Sequence, residues 1–571
     1  MKTKLFILIT NLLISSVLIA QNPVIIPETL SGTEFNLTLQ NGTFQFLDGQ
    51  VTNTMGVNGD ILGPTLIMQK DDFVDITVNN NLDETTTIHW HGMHVSAAND
   101  GGPHTTILPG EIWNPQFTVM DKAGTYWYHP HLHEKTNEHV SKGIAGFIIV
   151  RDEEEAALEL PRAYGIDDFP LVIQTKDFDA NNQVVTPSNS DDVLMVNATI
   201  VPVLEVPAQV VRFRLLNGSS MRVFNIGLSD NSTFYQIGTD GGLLSESASF
   251  TRLQLAPGER AEILINFSGM EGQTTQLMSH ASELQNGIYG ATYPGMMTMM
   301  TLDGYNPNPL NGNDFDIISF QVDTPTENPV TTVASTLAEL NPIPEEDADI
   351  TRNLNFTPEF MGPDQLNGNF LINGVSFDMD VINYTIPLNN TEIWSIINQS
   401  GIAHPFHIHD VQFFVLDRNG SPPPISEQGR KDVILVKPQE TVRFITKFED
   451  FANDTVPYMA HCHMLVHEDD GMMLQFEVVD EITDINGNNV SENIEVFPNP
   501  VRENTMLTIA DPEIVLEKYV LFDLQGNKIL EKQIVKESSN YQIELFGIDK
   551  GMYILQMNTN NNSFSKKVIV E

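Results

Sequence analysis

Cysteine is nearly absent from this chain of 571 residues: there is one, Cys462. One thiol cannot form an intrachain disulfide, so the fold is not stapled in the manner of small exported domains. Basic residues are scarce as well, 29 Lys and Arg against 75 Asp and Glu, which leaves a formal charge of −46. Such a deficit excludes nucleic acid and anionic lipid as partners. Its simplest consequence is a heavily solvated surface, with attraction of cations, metal-ion substrates included, as a second. Hydrophobic runs long enough to cross a bilayer are also missing. The apolar stretch Leu5 to Ala20, behind Lys2 and Lys4, is too short and too interrupted to span one. It reads as an export signal over residues 1–20. Helical periodicity is scarce throughout.

What is present is β structure. Short runs such as Phe73-Val74-Asp75-Ile76-Thr77-Val78, separated by Gly, Pro and Asn, form the pattern of β-sandwiches. Three segments echo one another. Val74 to Asn80 leads into His89-Trp90-His91-Gly92, Val211 to Asn217 into Phe224-Asn225-Ile226-Gly227, and Glu392 to Asn398 into His407-Ile408-His409-Asp410. Pro109-Gly110-Glu111, Pro257-Gly258-Glu259 and Pro438-Gln439-Glu440 each precede a strand, and closing strands are expected after Gly146, Gly295 and Gly471. Three copies of one sandwich follow, over residues 21–155, 156–305 and 351–482, with an Asn-, Pro- and acid-rich linker at 306–350. The middle copy has Phe224 and Ile226 where the outer two have histidines, so it is expected to hold no metal. Residues 491–571 carry 8 Lys and Arg against 12 Asp and Glu, a far milder imbalance, and mark a separate domain at 490–571.

Histidine carries the chemistry. Ten of the fifteen fall in four clusters: His89-x-His91, His129-x-His131, His404-x-x-His407-x-His409, and His461-Cys462-His463 with His467. Every cluster holds a His-x-His pair, and on a strand alternate side chains share a face, so both rings of a pair point the same way. One such pair is an ordinary feature of a strand. Four of them, with the lone cysteine inside the last, are not. In His461-Cys462-His463 the imidazoles face one side and the thiol the other, so metals on both sides would be joined through a few covalent bonds. The eight paired imidazoles suit several coppers with positions open to an exogenous ligand. Cys462, His404 and His467 remain, with Met472 ten residues past the cysteine. They match a blue-copper site of two nitrogens, a thiolate and a weak axial thioether. Zinc needs four ligands per site and gains nothing from the shared segment. A Cys–His nucleophile would need an elbow or oxyanion loop that the sequence does not show.

Over residues 25–480 the sequence resembles the three-domain multicopper oxidases, the group of laccases, bilirubin oxidases and bacterial copper oxidases, with all four copper motifs in order. The resemblance implies an all-β fold of three consecutive cupredoxin-like β-sandwiches plus a small C-terminal β-sandwich tail. It also implies four copper ions: one type 1, one type 2 and two type 3. Cys462, His404, His467 and Met472 would form the type 1 site, and His89 and His407 the type 2 site. His91, His129 and His463 would hold one type 3 copper, and His131, His409 and His461 the other. Asp100 and Glu468 match positions that supply protons to oxygen in bacterial members. Electron donors would be phenols, aromatic amines or reduced metal ions, with oxygen as acceptor. A copper-binding or envelope scaffold without turnover is the alternative, and the complete ligand set argues for the oxidase.

The resemblance weakens at one place. Ser400, Gly401, Ile402 and Ala403 precede His404, and residues 361–373 are short and Met-poor, so no dedicated Cu(I) site of the cuprous-oxidase type is implied. Met296, Met297, Met299 and Met300 read as core packing on the closing strand after Gly295. The tail resembles the C-terminal sorting domain of type IX secretion. It carries Val496-Phe497-Pro498-Asn499-Pro500, Leu521-Phe522-Asp523-Leu524-Gln525-Gly526, Gly551-Met552-Tyr553 and the terminal Lys566-Lys567-Val568-Ile569-Val570. This implies a monomer delivered by the type IX machinery to the cell surface or medium rather than kept in the periplasm.

Overall fold

The three echoed segments fold alike, as the strands Phe73–Asn80, Val210–Asn217 and Thr391–Asn398. Each ends on an asparagine whose side chain closes the turn that follows. Asn80 donates to the carbonyls of Glu84 and Ile107 and accepts from the amide of Leu82. Asn217 does the same with Arg222, Leu255 and Ser219, and Asn398 with Ile402, Val436 and Ser400. A buried loop must satisfy its own backbone groups, and one amide side chain per copy does so. The Pro-x-Glu motif is a second repeated device. Gly110, Gly258 and Gln439 share a left-handed φ of 79°, 82° and 60°. Glu111, Glu259 and Glu440 each accept from the amide three residues back, at Leu108, Ala256 and Lys437.

In this computed structural model the described residues are 22–306, 308–480, 495–502, 506–510, 516, 518–523, 528–534, 540–548, 550–558 and 563–570. The leader expected at 1–20 lies outside them. Two compact units divide at Val479 and Asp480. In the first unit, six sheets pair into three sandwiches. Inward residues of facing sheets meet in three cores. Leu37 and Ile76 meet Leu66 and Ile148 in the first, Phe213 and Ile263 meet Ile226 and Phe320 in the second, and Trp394 and Phe444 meet Phe406 and Phe476 in the third.

The middle strand Val210–Asn217 is buried along its whole length, unlike Phe73–Asn80, which alternates. Its apolar residues enter the core of their own sandwich. Arg212 and Arg214 face away, into a buried ionic network with Glu155, Asp168, Glu262 and Thr125 that ties the first sandwich to the second.

Three expectations change. The segment 306–350 is not all linker: Phe315–Asp323 is an inner strand of the middle sandwich, parallel to Pro202–Pro207 and antiparallel to Thr274–Ser279. Its flanks are rich in Asn and Pro, and they mask the period-2 pattern between them. No strand opens at Gly295; residues 295–299 are turns and bends. Asn22–Pro23, expected in the first sandwich, pairs with Pro202–Pro207 of the middle one.

The second unit is a small sandwich with sheets of three and four strands. It closes around a core of its own that includes Leu507, Leu521, Ile543, Leu555 and Val568.

The asparagine turns give a direct test. Asn217→Ala leaves two carbonyls and one amide buried without partners, so stability should fall by about 2–4 kcal/mol. Chemical unfolding measures the loss. An unchanged midpoint would mean that the turn does not depend on this side chain.

Candidate metal centres

The first and third sandwiches bring the four histidine clusters together because each cluster lies on a strand or runs on past its end toward the other sandwich. His89–His91 pairs with Gly124–His129, setting His89 opposite His129. His404–Ile408 pairs with Asn453–Cys462, setting His407 opposite His461 and Phe406 opposite Cys462. Period 2 then sorts the side chains. Cys462 points into the core of the third sandwich, while His461 and His463 point out of it toward the first.

Eight imidazoles converge there, all at most 1% exposed. The ring nitrogens of His131, His409 and His461 lie within 4.8 Å of one another, as do those of His89, His407 and His409, and those of His89, His91 and His129. His463 joins them with its ring centroid 4.9 Å from that of His91 and 5.5 Å from that of His129. Burial above all, then the crowding of neighbouring rings, holds His91, His129, His407 and His409 well below their ordinary pKa. The same causes push His463 down to about 3. Burial likewise takes His131 down to about 3, against the pull of Glu468. These rings are therefore neutral, and each keeps one lone pair. Nε2 of His89, His407 and His409 and both nitrogens of His463 have no hydrogen-bond partner. An orphaned buried acceptor costs about 1–3 kcal/mol. Neutral imidazoles with lone pairs aimed into one space are what copper ions bind, so the donor set fits the metal.

The second centre is smaller. Cys462 Sγ lies 3.5 Å from His404 Nδ1 and 3.6 Å from His467 Nδ1, with all three residues buried. Met472 is fully buried in the same core. Its carbonyl accepts from the amide of Cys462, and its amide donates to His467. Nε2 of His404 is held by Ser400 Oγ at 2.8 Å, which leaves Nδ1 for the centre. Phe370 packs on both rings. Burial pushes the Cys462 thiol far up, so a cation is needed to make it a thiolate. His467 also borders a cavity of about 400 Å³. Asp303 and Asp470 lie on its wall, and apart from His467 the described lining residues include no Lys, Arg or aromatic side chain.

Both expected acids lie against the eight-imidazole site. Asp100 Oδ2 is 2.7 Å from His409 Nδ1, and the Asp100 carbonyl accepts from His89 Nδ1 at 3.0 Å. Glu468 places its oxygens 3.4 Å from His131 Nδ1 and 3.2 Å from His461 Nδ1. Sequence reading missed a third acid, Asp432, which bridges His91 and His407. Its signal was faint, one acid before the strand Val433–Val436. The methionine cluster is corrected. Met296, Met297 and Met299 are 39%, 45% and 63% exposed, and Met300 alone packs in the core. They lie on a loop rather than a strand, so no alternation turns them inward.

Family models described as multicopper oxidase match residues 38–155 and 344–481, and one described as a secretion system C-terminal sorting domain matches 495–571. The multicopper oxidase mco of Staphylococcus haemolyticus is 33% identical over 477 residues, covering 80% of this chain and 93% of the relative. The cell division protein FtsP of Sodalis glossinidius is 32% identical over 473 residues, again covering 80% and 93%. Among solved structures, the laccase-like multicopper oxidase CueO of Ochrobactrum sp. superposes with a TM-score of 0.70 at 32% identity, covering 80% of this chain and 100% of its own. That enzyme is described as an oxidase of lignin model compounds and lignosulfonate.

The raised thiol sets a prediction for the metal-free protein. Because protonated thiol persists above its usual titration range, Cys462 should resist alkylation by iodoacetamide at pH 8 and react fully once the chain is unfolded. Mass spectrometry counts the adduct. Rapid labelling of folded protein would show that the site is open.

Proposed function

The chain belongs to the multicopper oxidases, and on that premise we propose that it is a laccase-like enzyme. It takes electrons singly from a donor beside His467 and delivers them to oxygen among the eight imidazoles. One observation carries this reading: Cys462 sits in one centre while its covalent neighbours His461 and His463 sit in the other. The smaller centre, with Cys462, His404, His467 and Met472, is the type 1 site. His89 and His407 would hold the type 2 copper. His91, His129 and His463 would hold one type 3 copper, and His131, His409 and His461 the other. Bound copper supplies the one-electron redox change at the first centre and the reduction of oxygen to two waters at the second.

The chain's own residues do the rest. His467 would meet the donor at the cavity wall, and with copper bound the peptide from Cys462 to His461 and His463 would link the two centres covalently. Four electrons demand four protons, and Asp100 and Glu468 stand within reach of ligands from both sandwiches to supply them. Apolar packing in the core that holds Cys462, Phe370 and Phe406 included, would keep water from the thiolate. With Asp303 and Asp470 on the cavity wall and no Lys or Arg among its described lining residues, neutral or cationic donors are favoured: phenols, aromatic amines and reduced metal ions. A scaffold role is the second reading, since one relative is a cell division protein. The complete donor set argues against it. The sorting domain directs the chain to secretion or the cell surface through the type IX machinery, where it acts as a monomer.

Copper-loaded protein should be intensely blue, and Cys462→Ser should abolish the colour, because the thiolate–copper bond is the chromophore and no second cysteine exists. Absorbance of the two proteins at equal copper content decides it. Colour that survives the substitution would refute the type 1 assignment.

Asp100→Asn and Glu468→Gln should keep the colour and slow steady oxygen uptake by roughly 10²-fold, the scale of one positioned acid. Uptake at the wild-type rate in both variants would remove these acids from the mechanism.

A further inference from the structure

The middle sandwich gives no side chain to the histidine clusters, yet two of its residues reach them. Gly258, in its Pro-Gly-Glu turn, lies so close to His463 that a Cβ there would fall 2.9 Å from the ring. The equivalent Gly110 of the first sandwich faces open space, so the approach at 258 is a feature of this copy and not of the turn. Arg260, two residues on, is fully buried and uses all five of its N–H groups. Nε donates to the Thr125 carbonyl at 3.1 Å. Nη1 donates to the Gly258 carbonyl at 3.0 Å and to Asp432 Oδ1 at 2.6 Å. Nη2 donates to the Asp240 carbonyl at 3.0 Å and to Asp432 Oδ2 at 2.5 Å.

A guanidinium held in this way cannot turn, and its planar fork fixes the carboxylate it grips. That carboxylate takes the Nε2 proton of His91 at 3.1 Å, while the carbonyl of the same Asp432 takes the Nδ1 proton of His407 at 2.8 Å. His91 comes from the first sandwich and His407 from the third, so one residue orients a ring from each side. Gly92 makes room for the pair: a Cβ there would lie 2.4 Å from Asp432 Oδ2 and 2.5 Å from Arg260 Nη2.

We propose that Arg260 is a positioning residue of the eight-imidazole site, locking Asp432 so that His91 offers Nδ1 and His407 offers Nε2 to the metals. The inference rests on the reading of that site as the oxygen-reducing centre. It assigns the ligand-free sandwich a part in the chemistry: it holds the outer two in register around the site and sets which ring nitrogens face it.

The test uses the full chain and reads metal binding rather than turnover. Arg260→Met removes the cation, and Arg260→Lys keeps the charge but loses the fork. In both, the blue colour and the type 1 paramagnetic resonance signal should stay at wild-type level. The type 2 signal should change, and copper affinity of the eight-imidazole site should fall about 10- to 100-fold, as when a partner behind a ligand is removed. Lys should recover less than half of the loss, because a point charge cannot grip both oxygens. Asp432→Asn should reproduce the Met variant, which guards against a folding failure at one position. An unchanged type 2 signal and affinity in both Arg260 variants would overturn the proposal, as would parallel loss of the type 1 signal, which marks a general scaffold role. Wild-type protein that binds copper but takes up no oxygen would instead sink the oxidase reading and leave this result standing.

Discussion

Burial of neutral imidazoles is the constraint that the first unit is built around. A ring withdrawn from water keeps one lone pair and one N–H, and the N–H must find an acceptor while the lone pair is left for a metal. The acceptors come largely from the backbone. His89 Nδ1 donates to the Asp100 carbonyl, His129 Nδ1 to Pro130, His407 Nδ1 to Asp432 and His461 Nδ1 to Cys462. Such carbonyls are available only where a strand has just ended or a short loop crosses its end. The histidines therefore sit at strand ends, where two sandwiches meet and neither sheet uses up the neighbouring acceptors. The same requirement brings Asp100, on the short helix Ala97–Asp100, back under the site: its carbonyl serves His89 and its carboxylate serves His409.

What was legible in the sequence follows from period 2 and covalent adjacency. That His461 and His463 share a face opposite Cys462 needs no tertiary information, and the structure places them on opposite sides of one strand. The repeated Asn and Pro-x-Glu positions were legible as a pattern, although what they do was not, because the carbonyls that Asn217 satisfies lie 5 and 38 residues away. Asp432 and Arg260 were illegible for a stronger reason. Their meaning depends on contacts 172 residues apart, across two sandwiches, and no local spacing encodes these. Phe315–Asp323 is hidden by the Asn- and Pro-rich composition of its flanks, while a nine-residue strand is decided by its own alternation. The exposed methionines follow a glycine that, unlike Gly146 and Gly471, does not precede a strand.

Repetition explains how one sandwich could be freed for other work. All three copies retain the asparagine turn and the left-handed Pro-x-Glu turn, so the backbone of each is specified independently of metal. Phe224 and Ile226 replace the histidine pair with side chains at 0% exposure that simply extend the core. With no ligands to present, the middle copy has its polar face free for fastening. Arg212 meets Glu155 and Arg214 meets the Thr125 hydroxyl at the first sandwich, and Arg260 reaches between the first and the third. Buried ion pairs gain little over apolar contacts, because desolvation offsets attraction, but they tolerate few alternative arrangements. Register between sandwiches is what such pairs can specify.

This use of arginine bears on the charge of the whole chain. Arg212, Arg214, Arg222 and Arg260 are among the largest fully buried side chains, and Lys176 and Lys431 are buried too. With 29 basic residues in total, six of them withdrawn into the interior is a substantial share. Several of their partners are also buried, so those pairs cancel internally. Buried acids outnumber these buried bases, yet the larger part of the excess acid still faces water. An acidic surface concentrates cations and repels anions over a Debye length of about 8 Å at physiological salt. The carboxylates on the cavity beside His467 stand within that field, and the strongest local bias on which donor reaches the ring comes from them rather than from the distant surface.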